Sequence, residues 1–167
     1  MSPTVLSIVP IHTILRIDRA EFFSQHWGGT EMVISSGVYD CLELDGYAAL
    51  TEENHIGGII TFIIKSQDDL CEIISLDSLY EGRGTGSQLL AQVEQTAALK
   101  GCQEVRLVTT NDNLEALRFY QKRGYRLTAL YPDAVRCARL RKPSIPLLSD
   151  NGIQIRDELL LSKLLLD

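Results

Sequence analysis

The sequence has no apolar run approaching the roughly 18–20 residues that a membrane-crossing helix needs. Its first residues, Met1-Ser2-Pro3-Thr4, carry neither the basic segment nor the long apolar core of a secretion signal, so a cytoplasmic protein with no membrane partner is expected. Basic residues are in deficit: 16 Lys and Arg stand against 22 Asp and Glu, a net charge of −6. A general nucleic-acid binder needs a basic face to neutralise phosphates, so that class is set aside, whereas a cationic or amine partner suits an acidic surface. Cysteine is sparse, at 41, 71, 102 and 137, with no C-x-x-C pair and no neighbouring His. Zinc sites need close ligand pairs, so no metal is expected, and the thiols read as buried and reduced. Repeats, low-complexity tracts and linkers are also missing. With 167 residues, 45% of them apolar, the chain reads as one domain spanning 1–167 with enough material for a core.

The residues that are present fall into a readable order. Residues 13–18 predict a first strand, and Asp18 an N-cap for a short helix over 19–27 that stops at Gly28-Gly29. The stretch from Glu31 to Leu44 has no clear period. Tyr47–Thr51 and Gly58–Lys65 flank the polar turn Glu52-Glu53-Asn54-His55 and read as a hairpin. After a second polar break, Ser66 to Asp69, Cys71–Leu76 gives a third strand. The period then changes: Leu89, Leu90, Val93, Ala97 and Ala98 recur at helical spacing up to Lys100-Gly101. Val105–Thr110 reads as a strand, Asn113–Arg123 as a helix stopped by Gly124, and Tyr125–Tyr131 as another strand. Strand, glycine loop, helix and strand make a crossover unit, so strands 71–77 and 105–110 are expected as parallel neighbours. Asp133–Lys142 reads as a helix ahead of Pro143. Ser149-Asp150-Asn151-Gly152 reads as a turn, and 153–166 as a last, exposed strand, a candidate for pairing across a homodimer. The fold class is α+β with a mixed, mostly antiparallel sheet.

Between strand and helix lies Glu81-Gly82-Arg83-Gly84-Thr85-Gly86. A helix N-terminus offers unpaired N–H groups and the positive end of a dipole, and glycines let the backbone approach an anion closely. Arg83 adds a positive charge. The dinucleotide fingerprint G-x-G-x-x-G does not fit, because the third glycine comes one residue early. A Walker A loop does not fit either, because no lysine precedes Ser87. The competing structural account is a plain tight turn into the helix.

Two longer segments carry a resemblance. Leu76-Asp77-Ser78-Leu79-Tyr80-Glu81-Gly82-Arg83-Gly84-Thr85-Gly86-Ser87-Gln88-Leu89-Leu90 resembles motif A of the GNAT N-acetyltransferase superfamily, a strand end followed by Arg/Gln-x-x-Gly-x-Gly/Ala and an apolar helix. Further on, Asn113-Leu114-Glu115-Ala116-Leu117-Arg118-Phe119-Tyr120-Gln121-Lys122-Arg123-Gly124-Tyr125 resembles motif B of the same superfamily. The likeness covers about residues 45–130. It departs at Glu81, where the family has Arg or Gln, and in the apparent helix over 133–142. The tail from Lys142 onward looks like a bacterial subgroup. The resemblance implies a GNAT-like sheet whose central parallel pair is splayed, with helices on both faces and acetyl-CoA as the acyl donor. It implies that Leu76, Asp77 and Ser78 border the pantetheine arm and that the N–H groups of Arg83, Gly84, Thr85, Gly86 and Ser87 hold the pyrophosphate. Asn113, Ala116 and Phe119 would form the second wall.

For transfer to an amine, the resemblance makes Tyr120 the acid that protonates the departing thiolate; its alternative role is packing with Ala116 and Phe119. Glu72 is the candidate base, because strand alternation puts it on one face with Ile74 and Leu76 and leaves Asp77 on the other. Its alternative is a solvated carboxylate. His12, His26 and His55 read as structural or surface residues, and Phe22, Phe23 and Trp27 as core anchors that border an acceptor pocket at most. Arg136, Arg139, Arg141 and Lys142 read as a solvated helix face. The expected activity is acetyl transfer to a primary amine, of a small molecule or a peptide, by direct attack in a ternary complex. A non-catalytic acyl-CoA-binding module and a binder of another nucleotide are the alternatives.

Overall fold

The computed structural model describes residues 5–80 and 82–165. Expectations that fall on Met1–Thr4, on Glu81 and on the end of the 153–166 strand lie outside the described residues. In chain order the elements are β1 (Val5–Pro10), α1 (Arg16–Trp27), β2 (Glu31–Ile34), β3 (Gly37–Asp40), β4 (Asp45–Thr51), β5 (Ile56–Lys65) and β6 (Leu70–Ser78). They continue with α2 (Thr85–Leu99), β7 (Glu104–Thr110), α3 (Leu114–Gln121), β8 (Arg126–Tyr131), α4 (Ala134–Arg141) and β9 (Glu158–Leu164). The main sheet runs β1-β4-β5-β6-β7-β9-β8, and β2 with β3 makes a separate hairpin.

Each face of the sheet has its own core. On one, Leu89, Leu90, Val93 and Ala97 of α2 and Tyr120 of α3 pack on Ile60, Phe62, Cys71, Ile73, Val105, Leu107 and Leu161. Full burial of a Leu or Val side chain contributes roughly 1.5–3 kcal/mol, so the α2 stripe alone fixes that helix to the sheet. On the other face, Phe22 and Phe23 of α1 pack on Ile11, Cys41, Ala48, Ile59 and Ile74.

The centre of the sheet departs from regular pairing in two ways. The parallel partners β6 and β7 are paired only from Leu70–Glu104 to Glu72–Arg106. Beyond Glu72, β6 stays with β5 as far as Ser78 while β7 stays with β9 as far as Thr110, so the two strands part. The second departure is a bulge: Thr61 faces Ser75 but Phe62 faces Ile73, which leaves Ile74 without a partner. One extra residue reverses strand alternation beyond it. Leu76 accordingly packs with the α2-side core, while Asp77 reaches Trp27 of α1. Glu72 thus shares its face with Asp77, not with Leu76, and the simple alternation used on the sequence fails at this point.

Other expectations also give way. The first strand is Val5–Pro10; residues 11–13 form a single 3-10 turn, and α1 begins at Arg16 with Leu15 as its uncapped N-cap. Asp18 lies within the first turn, where an acid favours the helix dipole without capping it. The helix ends at Gly28, φ 70°, as the glycine pair implied. The featureless stretch 31–44 holds the β2–β3 hairpin. The last strand starts at Glu158 and lies between β7 and β8, antiparallel to both, so it offers no free edge for a second copy. The edges are β1 and β8. Cys41, Cys71 and Cys102 are buried, but Cys137 is exposed.

Candidate active site

The loop after β6 turns sharply at Gly82 and Gly84, φ 72° and 76°, and a Cβ added at either would meet nothing within 4 Å. The first hydrogen bond along α2 runs from Gln88 N to Gly84 O, 3.0 Å. The N–H groups of Thr85, Gly86 and Ser87 therefore have no acceptor within the helix. Thr85 is buried, and its Oγ1 has no partner among the described residues. Phe119 of α3 closes the far side, so near that a Cβ on Gly86 would lie 3.3 Å from its ring. These N–H groups, the orphaned hydroxyl and the open space above the glycines suit a phosphate oxyanion.

The charge at this cradle comes from an unexpected residue. Arg83 is exposed and does not line the groove. Arg123 does: its guanidinium lies 3.7 Å from the Phe119 ring centroid and donates to Ser87 Oγ at 2.9 Å and 2.5 Å and to Phe119 O at 2.8 Å. Its place four residues after Phe119, just past the end of α3, was the available sequence signal, since i and i+4 lie on one side of a helical turn.

The groove has a volume of about 420 Å³ and runs from this cradle to the end of β6 and the face of α3. Every other proposed donor-site residue borders it: Leu76, Asp77, Ser78, Gly84, Thr85, Gly86, Ser87, Asn113, Ala116 and Phe119. Asn113 also caps α3, its Oδ1 accepting from Ala116 N at 3.1 Å. A second cavity of about 220 Å³ lies on the α1 side, under the β2–β3 hairpin and α4. Its walls are chiefly apolar, with Trp27, Met32, Ile34, Ile74, Val135 and Ala138 prominent. The two cavities share Leu76, Asn113, Ala116 and Tyr120.

Tyr120 thus stands where the two spaces meet. It is 6% exposed and makes edge contacts with Phe119 and Tyr125, at ring distances of 5.0 and 5.5 Å. Among the described residues its hydroxyl has no hydrogen-bond partner. Burial above all, with the charge of Asp77 adding to it and Arg123 opposing, raises its pKa, so the phenol is protonated at neutral pH. Asp77 accepts a short hydrogen bond from Trp27 Nε1. Burial also raises the Asp77 carboxyl, against the Trp27 bond and the charge of His26.

Two buried carboxylates hold the hairpin tip. Glu72 accepts from Ser36 Oγ at 2.6 Å and from Lys65 Nζ at 2.8 Å, and it lines neither cavity. Glu158, unnoticed in the sequence because nothing around it marks a lone acid in the tail, accepts from Ser35 N at 3.1 and 3.2 Å and lines the inner cavity. The supposed solvated basic face is also partly structural. Arg139 binds the carbonyls of Ile145, Pro146 and Ile155; Arg141 pairs with Glu31; Lys142 Nζ donates to Trp27 O and Glu31 O. His26 stacks on Phe22, while His12 and His55 are exposed. Among the described residues no group of three or more His, Cys, Asp or Glu is placed to hold a metal ion.

A parting parallel pair over a glycine-rich helix N-terminus is the arrangement that the two motif resemblances implied. The profile of the acetyltransferase (GNAT) family matches residues 11–125, and the chain belongs to that family. Two Bacillus subtilis (strain 168) proteins, the uncharacterised YxbD and YdhI, are 51% and 50% identical to it, over 95% and 96% of this chain and 98% and 99% of their own lengths. Among solved structures, a Bacillus subtilis acetyltransferase in complex with CoA superposes with a TM-score of 0.65 at 20% identity, over 96% of this chain and 99% of that one.

Proposed function

We propose that the protein transfers the acetyl group of acetyl-CoA to a primary amine by direct attack in a ternary complex. The observation that carries this reading is the meeting of two cavities at one phenol: a groove with a phosphate cradle on one side of Tyr120, and a secluded pocket on the other. Backbone N–H groups of Gly84 to Ser87, with Arg123, hold the diphosphate. The edge of β6 beyond Glu72, free on the β7 side, pairs with the amide-bearing arm as an added strand would. A backbone N–H near Leu76 or Asp77 polarises the thioester carbonyl. Tyr120 then gives its proton to the leaving thiolate.

Direct attack is favoured over a covalent acetyl-enzyme because no cysteine or histidine is among the residues lining either cavity. Burial moreover pushes the Cys41 thiol up to about 11 and the Cys71 thiol up to about 12, far from nucleophilic thiolates. Glu72 is paired with Lys65, bonded to Ser36 and outside both cavities, and we assign it the hairpin rather than the proton of the acceptor.

The test is coenzyme A release from acetyl-CoA across a panel of primary amines, with the acetylated amine identified by mass. The expected result is amine-dependent release without an acetylated protein species. Tight coenzyme A binding with no transfer to any amine would instead make the chain an acyl-CoA-binding module.

A further inference from the structure

The inner cavity holds a carboxylate whose charge is not matched. Glu158 is 3% exposed, yet among the described residues its carboxylate has only the shared N–H of Ser35 as a hydrogen-bond donor and no ion-pair partner. A carboxylate offers about four acceptor sites, and a buried charge left unpaired is costly. The other charged residue lining the cavity, Lys142, is turned away: its ammonium is spent on the carbonyl oxygens of Trp27 and Glu31 at 3.1 and 2.8 Å. Height along the sheet matters too. Leu70 lies opposite Glu104; with the bulge at Ile74 counted, six steps along each strand bring Asp77 level with Thr110, and Thr110 is paired with Glu158. Glu158 therefore stands beside the parted strands at the level of Asp77, next to Leu76, and its bond to Ser35 turns it toward the hairpin that roofs the pocket.

Building on the acetyl-transfer reading, we infer that Glu158 is the ammonium-binding residue for the acceptor, and that the acceptor is a small primary monoamine on an apolar body. One carboxylate among Trp27, Met32, Ile34, Val135 and Ala138 matches one cation and a hydrocarbon frame; it has no further acid for a second cation. Size agrees. A cavity of about 150 Å³ takes benzene, so the 220 Å³ here takes on the order of nine heavy atoms. The proton balance closes: the ammonium passes one proton to Glu158, the neutral nitrogen attacks the thioester carbon, and the C–S bond breaks. Tyr120 protonates the thiolate and is reprotonated by the new amide nitrogen, and Glu158 releases its proton to solvent.

Trp27 is the one tryptophan in the chain and lines this cavity, so its fluorescence reads occupancy without any turnover. Titration of the coenzyme A-saturated protein with phenethylamine should give a midpoint at least about tenfold below that of 2-phenylethanol, as a charge-assisted bond requires. Spermidine, kanamycin and phenylalanine should each bind at least about tenfold more weakly than phenethylamine. Glu158→Gln, which keeps an acceptor for Ser35 N–H, should abolish the preference for amine over alcohol while the coenzyme A-induced melting shift stays. Equal midpoints for amine and alcohol, an unchanged preference in Glu158→Gln, or tighter binding of a polycation or amino acid overturns the inference. Should Glu158→Gln fail to fold, Ala138→Phe fills the same cavity; an undiminished phenethylamine affinity there overturns it equally. Glu158-dependent binding without acetylation would sink the acetyl-transfer reading and leave this site standing.

Discussion

Tyr120 has a hydroxyl that no described residue engages, on a ring that the core grips from two sides, and that combination separates chemistry from packing. Tyr120→Phe keeps the ring contacts with Phe119 and Tyr125. It should lower kcat by about 10²-fold, the lower end of what a positioned acid contributes, with the melting temperature and the KM for acetyl-CoA little changed. Steady-state rates together with a melting curve decide it, and unchanged kcat would leave Tyr120 a packing residue. Asp77 makes a pH-dependent prediction. Burial raises its folded pKa, so between the ordinary carboxylate range and that raised value the native state holds a proton the unfolded chain has lost. Stability therefore falls as pH rises through that window. Asp77→Asn keeps an acceptor for Trp27 and cannot ionise. Urea midpoints should show the variant more stable than wild type at neutral pH, with the advantage shrinking in acid where both side chains are neutral.

At the scale of elements, the start of α2 and the end of α3 act together. Arg123 reaches Ser87 in the first turn of α2, whereas Arg83 is exposed on the loop. Arg123→Ala should raise the KM for acetyl-CoA about tenfold, the range of a charge-assisted contact, and Arg83→Ala by less than about twofold. The opposite order would return the charge to Arg83. The hairpin gives a second case. Lys142 ties α4 to the end of α1 and to β2 through two carbonyls. Lys142→Met should loosen that roof, raising the KM for the amine several-fold with the KM for acetyl-CoA unchanged; initial rates with each substrate varied in turn are the check.

Legibility of the sequence divides along the same lines. The β4–β5 hairpin, α2 with the glycine turn before it, β7 and α3 were readable because their signals are local: alternation, a helical stripe, a glycine stop. Asp77 was misplaced because a bulge opposite Phe62 cannot be read from alternation in one strand. Glu158 and Arg123 were missed because what matters about them is the partner across the fold, Ser35 in one case and Ser87 in the other. The 13–18 segment misled because its apolar residues, Ile14, Leu15 and Ile17, fit a strand as well as the start of α1.

For the whole molecule, the sheet is the device that sets the groove and the inner cavity against each other. β6 and β7 are held side by side from Leu70 to Glu72 and then drawn apart by their outer partners, β5 and β9. Helix α2 presents its N-terminus to one side of the opening, and the hairpin and α4 enclose the other. Apolar side chains crowd the β8 edge, where Leu127, Leu130 and Tyr131 are exposed. If a homodimer forms, that edge rather than β9 is where a second copy would add, because β9 is already paired on both sides. The measurement that bears most directly on the central claim is a crystal structure of the protein with coenzyme A. The diphosphate is expected on the N–H groups of Thr85 to Ser87 and the sulfur within hydrogen-bonding reach of the Tyr120 hydroxyl, facing the inner cavity. Coenzyme A seated with its thiol away from Tyr120, or with the cradle bypassed, would contradict the account.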